Sequence, residues 1–206
     1  MSLANLSDLK ASVAAWIKRG DLAGLIPDFV RLAEARINRE LRVRRMVTRA
    51  QNASVDAEFV AVPADFGSAR WVRLASHPYT QLDFLSPERM ADLRAAGCSG
   101  RLAAFSVVGE EFWFLPAPAS PVAVQLAYYA KVPALGDAAP ANWLLTEHPD
   151  VYLWGALMEA SIYLEDDEQM QKYAALFAAA LSDIRRNSIS DSLSARLTPA
   201  PNSAIV

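Results

Sequence analysis

The sequence predicts an α+β fold, mainly a helical bundle of two N-terminal and two C-terminal helices. A small antiparallel β-unit is inserted between the two halves, and an extended C-terminal tail follows. Three observations support this prediction: apolar residues recur at helical spacing near the N-terminus, the period changes to two in the middle, and helical spacing then returns. We expect residues 1–47 and 136–187 to form the bundle, residues 48–135 the β-unit, and residues 188–206 a flexible tail.

Length and composition are typical of a folded protein without catalytic chemistry. The chain has 206 residues, 53% of them hydrophobic, and a net charge of −3, which is too apolar for a disordered chain and long enough to bury a core. The mild acidity argues against a general nucleic-acid binder. One cysteine, Cys98, and two histidines, His77 and His148, leave little for disulfide, metal or acid–base chemistry. We therefore expect no catalytic, cofactor or metal site.

No export or membrane segment is predicted. Residues 1–9 lack a basic stretch followed by an apolar run, so we expect no signal peptide. The longest uncharged stretch, residues 112–130, contains three prolines that divide it into two extended pieces. We expect a soluble protein.

Two helices open the chain. In Asn5–Lys18 the apolar residues fall on one helical face, and Arg19-Gly20-Asp21 ends the pattern. The second helix starts at Leu22 or Pro27 and continues to Val43. Its polar face, opposite the apolar stripe, collects Arg31, Asn38, Arg39 and Arg42.

The middle of the chain is predicted to hold four to six strands. The extended segments are Phe59–Val62, Ala69–Ser76, Phe105–Val108, Phe112–Leu115 and Val122–Tyr129. Gly109-Glu110-Glu111 indicates a tight hairpin between the third and fourth of them. One short helix interrupts the strands, with Ser86 as its N-cap, Pro87 in its first turn and Gly97 at its end.

The last third returns to helix. Thr146 is the expected N-cap of a helix that passes through Pro149 and continues to Leu164. This helix is apolar on most sides, which is typical of a bundle centre or an assembly interface. A final helix follows from about Met170 to Ile184.

Three polar clusters could carry chemistry, and each has a simpler explanation. Gly97–Gly100 lacks the spacing and the lysine of a phosphate-binding loop. Glu147, His148 and Asp150 fit a helix start, where acidic groups meet the positive end of the helix dipole. The acidic run Glu165–Glu168 lacks the alternating ligands and the glycine of a calcium loop, so we interpret it as a solvated turn that caps the last helix.

Positive and negative charge are separated along the chain. Residues 31–49 hold seven arginines, opposed only by Glu34 and Glu40, whereas residues 132–171 hold eight acids and no Lys or Arg. Such polarity suits a head-to-tail contact between copies. Solvated faces with intrachain pairing, and DNA binding by the arginines, are the alternatives. The candidate interface residues are Arg31, Arg36, Arg39, Arg42, Arg45, Glu165, Asp166 and Asp167, together with Trp143, a loop tryptophan expected to anchor a partner.

An ordered series of short segments, spread over residues 5–186, carries a family resemblance. The segments are Leu25–Phe29, Ala33–Arg39, Leu41-Arg42, Leu115–Pro118, Tyr128-Tyr129, Asn142–Leu145, Pro149–Leu153, Gly155–Leu157, Glu159-Ala160 and Asp166-Asp167. This series resembles the adaptor, or head-to-tail connector, proteins of tailed bacteriophages. The loop at Gly100–Leu102 lacks the proline usual in that group, and the chain beyond Asn187 has no clear counterpart.

The resemblance implies a structural virion protein and not an enzyme. Such adaptors form a ring, usually twelvefold, beneath the portal, join head to tail and extend the DNA channel. The implied partners are further copies of the chain, the portal protein, a tail or nozzle protein and the packaged DNA, with no membrane. The implied location is the virion neck, with the host cytoplasm during assembly. The alternatives are another neck or tail-completion protein, or a DNA-binding module that uses the Arg31–Arg49 helix.

Overall fold

The computed structural model describes the backbone of residues 3–194, and the side chains of that range except at positions 51, 52 and 190–194. The chain divides into two compact units. The first, which we call the helical unit, takes residues up to Arg45 and again from Val132 onward. The second, the β unit, takes Met46–Lys131.

Six α-helices and seven strands lie within residues 3–194. The helices are α1 Leu6–Ile17, α2 Ile26–Glu40, α3 Pro87–Ala95, α4 Trp143–Glu147, α5 Pro149–Tyr163 and α6 Asp167–Ser194. The strands are β1 Val47–Val55, β2 Phe59–Ala61, β3 Phe66–Leu74, β4 Asp83-Phe84, β5 Ala104–Val108, β6 Glu111–Leu115 and β7 Val122–Ala130. None of the helices in this range is long and apolar enough to span a membrane.

The prediction of a mainly helical bundle with a small β-unit is wrong. The fold is a mixed α+β fold in which the strands form two sheets that share one core, and a second, smaller core lies between the four-stranded sheet and α3. The sequence underestimates this part because β1 (VTRAQNASV) shows no clear apolar alternation and β4 is only two residues long. The antiparallel expectation also fails at one pair, since β4 pairs with β5 in parallel.

Helix α5 is the centre of the helical unit. Nine of its residues are buried, and it packs against α1, α2, α4 and α6. At Gly155 the three helices α2, α5 and α6 approach closely: an added Cβ would lie 3.0 Å from Cβ of Ala33 and 3.1 Å from Cε2 of Phe177. The sequence left open whether this apolar helix lies at a bundle centre or at an assembly interface. Its burial at the centre of the helical unit accounts for its composition.

The start of α5 differs from the prediction. Thr146 is not its N-cap but lies inside the separate short helix α4, where its hydroxyl donates to the Asn142 carbonyl at 3.0 Å. Asn142 caps α4, because its Oδ1 accepts from the Leu145 N–H at 2.8 Å. Pro149 then opens α5 in the first helical position.

The final helix is longer than its apolar stripe suggests. It continues to Ser194, beyond the Ile184 at which the stripe stops. Part of the segment predicted as a tail, residues 188–194, is therefore helical, and residues 195–206 lie outside the described residues.

The β unit is a sandwich of two sheets. One has the strand order β1-β7-β3 and the other β2-β6-β5-β4. Alternation along β6 shows how the layers form: Phe112 and Phe114 enter the core between the sheets, whereas Trp113 and Leu115 pack with Met90 of α3 on the other side. The hairpin predicted at Gly109 is confirmed, with a φ of 62° at the glycine and Val108 paired to Glu111.

Candidate interface surfaces

The arginines between residues 31 and 49 do not share one helix. Helix α2 ends at Glu40, residues Arg44–Met46 form a 3₁₀ turn, and Arg49 lies on β1 in the β unit. A DNA-binding module built on one Arg31–Arg49 helix is therefore not formed. The arginines have to be considered one at a time.

Arg36 is used inside the helical unit. Its Nε and Nη2 lie 2.9 and 2.7 Å from the same carboxylate oxygen, Oε1 of Glu159 on α5. Glu159 is only 10% exposed, so the pair is partly shielded from water and from salt. This ion pair joins α2 to α5, so Arg36 is paired within the chain, as one of the alternatives drawn from the sequence proposed.

Arg42 and Arg45 also have partners in their own chain. Nη1 of Arg42 donates to the carbonyls of Asn38 and Leu41 at 2.7 and 2.6 Å, where the negative end of the α2 dipole favours a cation. Arg45 forms an exposed ion pair with Glu147 at 3.1 Å, a type worth about 0.2–1 kcal/mol. Both arginines therefore stabilise the end of α2 and its surroundings.

Arg31 and Arg39 are different. Both are exposed on α2, and neither forms an ion pair with a residue in the described part of the chain. They lie eight residues apart, two turns along one side of the helix, and Leu32 between them is 52% exposed. This side of α2 carries charge and apolar surface that the described residues of the chain do not cover.

Of the acidic run Glu165–Glu168, Glu165 and Asp166 lie in the turn between α5 and α6, and Asp167 and Glu168 are the first residues of α6. The capping role of the run is confirmed, because Oδ1 of Asp166 accepts from the Gln169 N–H at 3.0 Å. All four side chains are exposed, and none has a basic partner within residues 3–189. The helical unit thus carries an acidic run and two arginines that form no ion pair within the described residues.

A buried polar network lies behind the exposed side of α2, and sequence reasoning missed it. The Glu34 carboxylate accepts from the Leu135 N–H at 2.8 Å and from the Tyr152 hydroxyl at 3.4 Å. Asn142 completes the network by donating to the Tyr152 oxygen at 2.7 Å and to the Pro133 carbonyl at 2.6 Å. The network ties α2, α5 and the segment before α4 together.

Burial changes the titration of this network. Desolvation raises the pKa of the Glu34 carboxyl, and its hydrogen bonds from Leu135 and Tyr152 and the nearby charge of Arg31 oppose that shift only in part. Desolvation also raises the pKa of the Tyr152 hydroxyl well above its ordinary range. A glutamate at an apolar helical position was the available signal for this network, since buried carboxylates need partners.

Trp143 is half-buried as the first residue of α4, and no described contact tests its role as an anchor. Trp16 is more exposed than Trp143, at 42%. Its ring meets Trp154 edge-on at 5.3 Å, and Trp154 stacks on Tyr173 at 6.1 Å. The sequence predicted Trp143 and not Trp16 as the anchor for a partner, because helical spacing placed Trp16 on the apolar face of α1.

The described residues contain no group of three or more histidine, cysteine or acidic side chains that could hold a metal ion. What they do contain is surface of opposite charge on one compact unit. Such an arrangement can support contacts between macromolecules.

Residues 4–200 fit the family model of the SU10 adaptor protein, which covers nearly the whole chain. Among curated proteins no match was found.

Proposed function

The chain belongs to the SU10 adaptor protein family, and on that premise we propose that it forms a ring beneath the portal of a tailed phage. The family match confirms the resemblance to the adaptor proteins of tailed phages. The proposal extends the family membership to a twelvefold ring in the virion neck that joins head to tail and extends the DNA channel. Portal, tail or nozzle protein and packaged DNA are the proposed partners.

The separation of unmatched charge supports contact between copies. We assign the basic side of the contact to Arg31 and Arg39 on α2 and the acidic side to Glu165, Asp166 and Asp167. Because the two surfaces differ, the contact is head-to-tail, and it closes into a ring when the rotation allows. Arg36, Arg42 and Arg45 have intrachain partners, so we propose that they support the α2 side of the contact without pairing across it. Trp143 remains a candidate anchor.

Charge reversal tests this contact. We expect Arg31→Glu with Arg39→Glu to weaken assembly with the portal about tenfold, which corresponds to about 1.4 kcal/mol, because attraction is replaced by repulsion. The measurement is sedimentation velocity of the chain alone and mixed with the portal protein. A matched control is Arg89→Glu with Arg101→Glu, which reverses two exposed arginines of the β unit that have no ion pair within residues 3–189.

A compensating variant separates pairing from general charge effects. Adding Glu165→Arg and Asp167→Arg to the α2 double variant restores opposite charges with their signs exchanged, so we expect assembly to recover in part. Equal assembly by the wild type and the α2 double variant would contradict the contact. A wild-type chain that never co-sediments with the portal would contradict the ring itself.

A further inference from the structure

The three-stranded sheet of the β unit has an unusual charge balance. Its strands β1, β3 and β7 contain Arg49, Arg70 and Arg73 but no aspartate or glutamate. One face of this sheet packs into the core through Val72, Leu74, Val124 and Leu126. Because side chains alternate along a strand, Trp71, Arg73 and Gln125 lie on the opposite face.

Two guanidinium groups meet on that outer face. Nη2 of Arg49 and Nε of Arg73 donate to the same atom, Oε1 of Gln125, at 3.0 and 2.8 Å. The two arginines come from the strands on either side of β7, so the amide draws them together over the central strand. The Arg73 guanidinium also lies over the Trp71 ring, 4.7 Å from its centroid, which holds it in place.

No carboxylate in the described part of the chain neutralises this pair. Neither Arg49 nor Arg73 forms an ion pair with a residue in that part, and the Gln125 amide carries no charge. Two like charges held side by side repel each other unless an anion lies between them. Arg49 is exposed and Arg73 is half-buried, and both keep N–H donors that Gln125 does not use.

We propose that the outer face formed by Arg49, Trp71, Arg73 and Gln125 binds phosphate groups of the DNA backbone. Two neighbouring guanidiniums offer several donors to the non-bridging oxygens of a phosphate, the geometry that favours arginine over lysine at such sites. The inference rests on the proposed function, in which DNA passes through the ring. It places the DNA contact on the three-stranded sheet and not on α2.

Phosphate fits this face better than the carboxylates of a second copy. In the proposed ring the acidic residues Glu165, Asp166 and Asp167 are already assigned to Arg31 and Arg39. A sheet face with two uncompensated charges and no acidic residue on its three strands also suits a polyanion, which approaches with charge all along its length.

The test uses the full chain and a fluorescently labelled DNA duplex of about 20 base pairs, with anisotropy measured from about 50 to 200 mM salt. The decisive variant is Gln125→Glu, which is nearly isosteric, places one carboxylate between the two arginines and halves the net charge of the cluster. We expect it to weaken DNA binding at least tenfold without loss of the fold. Arg49→Gln with Arg73→Gln should weaken binding as much and reduce the salt slope by about 1.8, which is about 0.9 for each lost phosphate contact.

Arg89→Gln with Arg101→Gln is the matched control, since it removes the same charge from the same unit. Equal DNA affinity for Gln125→Glu and the wild type overturns the proposal, as does a wild type that binds no duplex at low salt. Polyglutamate that displaces the duplex as well as unlabelled DNA does overturns it too, because the face then takes carboxylates. Portal co-sedimentation of Gln125→Glu is measured in parallel, so that loss of the ring and loss of the DNA contact are told apart.

Discussion

The helical unit and the β unit differ in how their buried polar side chains are hydrogen-bonded. In the helical unit, buried Glu34, Tyr152 and Asn142 are hydrogen-bonded to one another or to backbone. In the β unit, the Trp113 indole and the Tyr128 hydroxyl each donate to a single carboxylate, that of Glu58 and that of Asp65, and the buried Ser106 hydroxyl has no hydrogen-bond partner among the described residues. These buried polar groups of the helical unit thus form one connected network, whereas those of the β unit form separate pairs or, at Ser106, none among the described residues.

The physical reason is how each unit satisfies its backbone. A sheet pairs its own N–H and C=O groups between strands, so its backbone needs few side-chain partners. Helices leave unpaired groups at their ends, and the segments between them need side-chain partners. Glu34 and Asn142 supply those partners at Leu135, Pro133 and Leu145.

The largest effect expected from this difference is at Asn142. Asn142→Ala removes the α4 cap, worth about 1 kcal/mol, and leaves the Pro133 carbonyl and the Tyr152 hydroxyl short of a donor, for a total of about 2–3 kcal/mol. Urea unfolding followed by circular dichroism at the helical band measures it. Asn5→Ala is the control, since the Asn5 side chain accepts the Asp8 N–H at 2.9 Å to cap α1 and makes no other hydrogen bond within residues 3–189, and it should cost about 1 kcal/mol. Equal losses would mean that the network contributes nothing beyond the cap.

A smaller effect should appear as a pH dependence confined to the helical unit. The pKa of Glu34 is raised in the folded state by burial, so the folded chain holds this proton at pH values where the unfolded chain has lost it. The contribution of Glu34 to the free energy of unfolding is therefore greatest below its ordinary value of 4.5 and decreases as the pH rises through the raised value. Subtracting the Glu34→Gln curve from the wild-type curve, each measured by urea unfolding from pH 4 to 8, isolates it. A difference that does not change with pH would exclude this account.

The smallest effect has the opposite sign and belongs to the β unit. Ser106→Ala removes a buried hydroxyl that is desolvated without a partner, so we expect a gain in stability of about 1 kcal/mol or less. Ser161→Ala is the matched control in the helical unit, because the Ser161 hydroxyl donates to the Leu157 carbonyl at 3.0 Å, and it should lower stability. Thermal unfolding of both variants provides the comparison. Destabilisation by Ser106→Ala would show that the hydroxyl is hydrogen-bonded in solution.

Local signals in the sequence predicted much of the fold. Apolar spacing located α1, α2 and α5, Ser86 and Gly97 bounded α3 as observed, and Gly109 marked the hairpin. They succeeded because each depends on a few neighbouring residues: helical period, a cap, or a glycine with positive φ. They failed at β1 and β4, because these strands are formed by pairing with strands distant in sequence. They also failed at the start of α5, because Asn142 and not Thr146 is the cap and it begins a separate helix, α4.

By itself the sequence determined α1, α2, α3 and most of α5 and α6, the hairpin, the separation of charge and the family resemblance that the match over residues 4–200 confirms. Only the tertiary structure decided which arginines are used within the chain. Arg36 meets Glu159 across 123 positions of sequence, and Arg49 and Arg73 meet at Gln125 because two strands flank a third. Such partners are set by the packing of distant elements, since a side chain pairs with what lies within a few ångströms of it, whatever the distance along the chain.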